Sequence, residues 1–137
     1  MIRIVLGVIV GFIVWSIVWL GGQATLAALS PNWFGVYFAS AEHATASGAD
    51  FVPDSSIAAI TLVRSLLTSF IAGYMAALVA GEYKRTTMVL GIVLVLVGVI
   101  VEAFTWRLAP VWYHILFVLM LVPMTILGGR VRRPANA

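Results

Sequence analysis

Three observations predict an all-α fold, an integral-membrane bundle of four helices with both termini cytoplasmic. Of the 137 residues, 63% are hydrophobic and only 9% charged, whereas soluble domains carry about a quarter charged residues. The apolar residues gather into four runs of roughly 20 residues or more, each long enough to cross a hydrocarbon core of about 30 Å. Lysine and arginine outside those runs fall almost entirely on one side: Arg3, Lys84, Arg85, Arg130, Arg132 and Arg133 against Arg107 alone. By the positive-inside rule that side is the cytoplasm.

The same composition excludes several function classes. Cysteine is absent, which removes disulfides, thiolate metal sites and thiol nucleophiles. The net charge of +3 is small and the basic residues flank membrane runs, so no nucleic-acid footprint is present. Glu42, His43, Asp50 and Asp54 match no metal-ligand spacing and read as a solvated acidic loop. Phosphate loops and Ser-His-Asp patterns are also missing, and no cofactor is implied.

In chain order, the first helix spans about 2–29, with Gly7 and Gly11 forming a GxxxG near its cytoplasmic end. Arg3 and the apolar run after it imitate a secretory signal, but the run exceeds the usual 7 to 15 residues of a signal core. It is therefore predicted to remain as a span, loosened outward by Gly21 and Gly22. Residues 30–56 form the one sizeable loop, periplasmic, with Trp33, Phe34, Tyr37 and Phe38 suited to the headgroup zone. A short interfacial helix over 33–43 and a mobile polar link over 44–50 are expected there. Asp54 and the serines after it cap a second helix over 57–80.

That second helix is the organising element. Ser65, Ser69, Gly73, Ala77 and Gly81 recur every fourth residue, beside Arg64, Thr68, Ala72, Ala76 and Ala80. Steps of four keep one helical face, and small residues let backbones approach closely in lipid. The third helix is predicted over 88–106, after a tight connection over 82–87, and the fourth over 111–127. Pro123 is expected to kink the fourth, and Gly128 and Gly129 to end it. Residues 1–129 then form one membrane domain, and 130–137 a basic cytoplasmic tail.

Three ionisable residues lie inside predicted spans: Arg64, Glu102 and His114. At 1.5 Å per residue they sit about 6 to 8 Å outward of their helix centres, on three different helices. An unpaired charge at that depth costs at least about 2.5 to 3.5 kcal/mol on insertion scales. The expected arrangement is therefore Arg64 bidentate to Glu102, with His114 donating to the same carboxylate or to water. Gln23 and Thr105 are candidate outer partners. Such a layer is either a structural lock or an outward-opening polar pocket, which would be a proton relay, an ion site or a seat for a small anion at Arg64; few polar residues continue below it, which favours the lock.

Pro110, Val111, Trp112, Tyr113 and His114, followed by Phe117, Leu121, Pro123, Gly128 and Gly129, resemble the C-terminal hairpin of small bacterial four-helix inner-membrane proteins to which no activity is attached. The resemblance extends back to Ala72, Gly73 and Tyr74 and implies a bacterial inner-membrane location. The intramembrane acid of small multidrug exporters is missing from the first helix, and the embedded asparagines of fluoride channels have no counterpart. The expectation is a non-enzymatic accessory or scaffold subunit, bound by the bilayer and by another membrane protein or a second copy. The alternative is a small proton- or ion-coupled transporter using Arg64, Glu102 and His114.

Overall fold

The computed structural model describes residues 1–48, 54–104, 106 and 109–131. They form α1 (Ile2–Leu29), one π-helical turn (Pro31–Gly35), α2 (Val36–Ser47), α3 (Ser55–Ala80), α4 (Lys84–Phe104) and α5 (Val111–Val131), with no strand among the described residues. Four of the helices, α1, α3, α4 and α5, are long and apolar enough to cross a membrane.

Local chemistry explains where α3 begins and ends. The Asp54 side chain accepts from the Ser56 and Ile57 N–H groups at 2.8 and 3.2 Å, satisfying two of the donors a helix start leaves bare. Gly81 stops the helix in the left-handed region at φ 76°, where its N–H reaches the Ala77 carbonyl. A Cβ is strained there, which is why glycine occupies the position.

α3 runs through the centre, with α1 and α5 packed on it; α4 packs on α5 and reaches α1. Both small-residue ladders of α3 are buried from Ser65 to Ala80, at Ser65, Thr68, Ser69, Ala72, Gly73, Ala76, Ala77 and Ala80. Gly7 and Gly11 lie on Ala72, Ala76 and Ala80, so the GxxxG of α1 is spent on α3 within the same chain. Across the other face, a Cβ on Gly73 would land on the Thr125 carbonyl, and one on Gly128 on the Phe70 carbonyl. The two backbones touch. Gly81, by contrast, is an exposed helix stop and not part of either seam.

These contacts fix the ends relative to one another. Gly7 adjoins Ala80 and Thr86, and Gly129 adjoins Tyr83 and Thr87. The start of α1, the α3–α4 turn and the finish of α5 therefore share one end, which carries Arg3, Lys84, Arg85 and Arg130. The Arg3 guanidinium lies against Gly81, where the last carbonyls of α3 favour a cation. The π turn and α2 lie at the opposite, aromatic end.

Several boundaries differ from the sequence expectation. α4 starts at Lys84 and not near Met88, because the Glu82 carboxylate accepts from the Arg85 and Thr86 N–H groups and draws the first turn back. It stops at Phe104, before Trp106. α5 passes through Pro123 and continues past Gly128 and Gly129 to Val131; those glycines are held helical by packing on α3, Tyr83 and Thr87. α1 is continuous through Gly21 and Gly22. The interfacial helix is split into the π turn and α2, which reaches Ser47 and covers the first part of the expected link. Asp50, Thr105, Arg107, Arg132 and Arg133 lie outside the described residues.

Candidate functional site

Counting from the basic end, Trp19, Arg64, Glu102 and His114 each lie roughly 24 to 27 Å along their helices. The three ionisable groups thus share a level, but they do not form one cluster. The structure joins two of them.

Glu102 of α4 and His114 of α5 form a buried pair through Oε2 and Nδ1, the residues being 7% and 3% exposed. The other ring nitrogen, Nε2, lies 2.8 Å from the Trp106 carbonyl, and the Trp106 ring stacks on the imidazole at 4.6 Å. A carbonyl can only accept, so Nε2 carries a proton. Both ring nitrogens are therefore engaged, Nδ1 by the Glu102 carboxyl group and Nε2 by the Trp106 carbonyl.

Arg64 is not bound to Glu102. Its guanidinium carbon sits 4.4 Å from the centre of the Trp19 ring, and Nε and Nη1 are buried without a hydrogen-bond partner. Two features of α1 produce this. Gly22 leaves space that Arg64 fills, since a Cβ there would meet Arg64 Cδ at 3.0 Å. Trp15 and Trp19, four residues apart, stack at 5.4 Å and present an aromatic surface at the level of the charge. A guanidinium over indole gains about 0.5 to 2 kcal/mol, which offsets only part of what two orphaned N–H groups lose.

Tyr113 sits between the two halves of the layer. Its hydroxyl lies near Ser65 and the Arg64 charge, while Ser65 donates to the Thr61 carbonyl at 2.8 Å. Deeper in, the Trp15 indole N–H donates to Ser69 Oγ at 3.3 Å. Trp19, Tyr113 and the Ser65 hydroxyl were not among the polar groups expected from the sequence. The depth of Trp19 along its helix, equal to that of the charges, is the sequence signal that identifies it.

Above this layer lies a cleft of about 480 Å³ at the aromatic end. Its walls come from all five helices: Trp19 and Gln23 of α1, Tyr37, Phe38 and Glu42 of α2, Ile57 and Thr61 of α3, Glu102 of α4 and Tyr113 of α5. α2 is held across it by Tyr37, whose hydroxyl accepts the Asp54 backbone N–H. Burial pushes the Tyr37 phenol above its ordinary value; that hydrogen bond opposes the rise and the Asp54 carboxylate adds to it. Glu102 and His114 also border a second, almost wholly apolar groove of about 420 Å³ between α4 and α5.

Below the layer the interior is closed. Thr68, Ala72, Ala76, Leu90 and Thr125 are fully buried. The Thr68 and Thr125 hydroxyls are bonded to carbonyls of their own helices, those of Arg64 and Leu121, and the Thr87 hydroxyl to the Tyr83 carbonyl just before α4. No group of three or more potential metal ligands occurs among the described residues. Comparison of the chain with family models, curated proteins and solved structures finds no match, so what the site does rests on its own geometry.

Proposed function

We propose that this chain is a non-catalytic multi-pass protein of the bacterial inner membrane, an accessory or scaffold subunit that stands beside other membrane proteins. The N-terminus, the α3–α4 turn and the C-terminus face the cytoplasm; α2 and the cleft face the periplasm. The arrangement of Arg3, Lys84, Arg85 and Arg130 at one end supports that orientation. The observation that carries the non-transport reading is the closed interior beneath the charged layer, where buried hydroxyls are already bonded within their own helices. Partner contact falls to the aromatic end, where Trp33 and Val36 are exposed, because the glycine seams are used inside the chain.

Reconstitution of the purified protein into vesicles with a pH-sensitive dye inside tests this. Under an imposed proton gradient the expected leak equals that of protein-free vesicles. The second reading, a proton-coupled carrier, is favoured by the way Glu102 lines both the outer cleft and the apolar groove. A proton flux that Glu102→Gln abolishes, in a chain that stays folded, would replace the first reading with the second.

A further inference from the structure

We propose that the outer cleft is a binding site for an amphipathic organic cation with an aromatic or bulky apolar body. Its volume of about 480 Å³ falls in the usual ligand range of about 300 to 1,000 Å³. The described lining has the composition of a cation pocket: Tyr37, Phe38 and Tyr113 provide aromatic surface, Val101 apolar surface, and Glu42 and Glu102 the carboxyl groups. Aromatic rings with a carboxylate attract organic cations while excluding water from the apolar body.

The charge sense follows from what the neighbouring groups already do. Within the lining, the Glu102 carboxyl group is already engaged by His114. Among the described residues Arg64 is a neighbouring cation, but it does not line the cleft, and its Nε and Nη1 atoms are buried against Trp19 and α1. An anion in the cleft therefore meets no donor from the guanidinium Nε or Nη1. Glu42 is exposed, on the α2 side of the cleft, and has no ion-pair partner among the described residues. Among the described residues, the unpaired ionisable group of the lining is the carboxylate of Glu42.

Tetraphenylphosphonium and tetraphenylborate have the same shape and opposite charge, which makes them matched probes. Equilibrium dialysis of each against the full chain in a nonionic detergent, with protein-free micelles as the blank, reads the site directly. Saturable, one-to-one phosphonium binding is expected, at least about tenfold tighter than borate. Glu42→Gln, at an exposed position that leaves the fold intact, is expected to weaken phosphonium binding about two- to fivefold and leave borate unchanged. Phe38→Ala is expected to weaken phosphonium about two- to thirtyfold; if that chain does not fold, Glu42→Gln and the matched ions decide. Phosphonium uptake no greater than the blank overturns the proposal. Borate binding as tight as phosphonium, or Glu42→Gln without effect, overturns it equally.

Discussion

Arg64 stacks on Trp19 with two N–H groups lacking acceptors, and that gives a prediction whose sign separates it from an ion-paired arginine. An unsatisfied buried donor costs about 1 to 3 kcal/mol, so Arg64→Met is expected to leave stability unchanged or raise it by up to about 2 kcal/mol. Were Arg64 paired with Glu102, the same substitution would strand a carboxylate and cost about 3 to 5 kcal/mol. Unfolding in mixed detergent micelles, followed by circular dichroism, distinguishes the two. Glu102 and His114 behave in the opposite way. Glu102→Ala and His114→Ala are each expected to destabilise by about 3 to 5 kcal/mol, and the double substitution by clearly less than their sum. Which residues are ionisable and how deep they lie is legible in the sequence, because depth depends only on the rise per residue. Their pairing is not legible, because it depends on how far each helix is rotated about its axis.

Among the helices, the α3–α5 crossing is the tightest contact. Gly73→Ala places a methyl on the Thr125 backbone and is expected to cost at least about 1 to 3 kcal/mol. Gly21→Ala meets nothing within 4 Å and is expected to be neutral or to gain up to about 1 kcal/mol from helix propensity. Thermal unfolding of the two variants in one detergent makes the comparison internal. The start of α4 carries a pH dependence. Burial tends to raise the Glu82 carboxyl, but hydrogen bonds from the Thr86 side chain and the Arg85 and Thr86 N–H groups, with the Arg85 charge, outweigh it and hold the group below its ordinary value. As pH falls, the unfolded chain takes up this proton first. Glu82 therefore contributes stability above the ordinary carboxylate range of about pH 4.3, and the contribution is lost as pH falls through the lower folded value. Unfolding midpoints measured from pH 7 to pH 3 should fall less steeply for Glu82→Gln than for the unaltered chain. The capping role of Glu82 is local and therefore legible in the sequence, since the carboxylate bonds only the third and fourth residues after it. The extension of α5 through two glycines is not legible, since only contact with α3 and α4 keeps them helical.

For the whole molecule, the absence of cysteine allows the proposed orientation to be checked with single labels. Ser40→Cys on α2 is expected to react with a membrane-impermeant maleimide on intact cells from which the outer membrane has been stripped. Lys84→Cys at the start of α4 should react only after the inner membrane is permeabilised. The reverse pattern would invert the topology and place the cleft in the cytoplasm. Four apolar runs, the central role of α3 and the common level of Arg64, Glu102 and His114 were set by residue order alone. Hydropathy, every-fourth-residue spacing and helical rise are properties of a single chain segment. Tertiary structure decided which neighbours those segments found: α1 brought Trp19 to Arg64, α5 turned His114 onto Glu102, and the GxxxG of α1 was spent inside the molecule. Each of those outcomes depends on rotation and crossing of helices, which close packing between backbones selects and no single segment encodes.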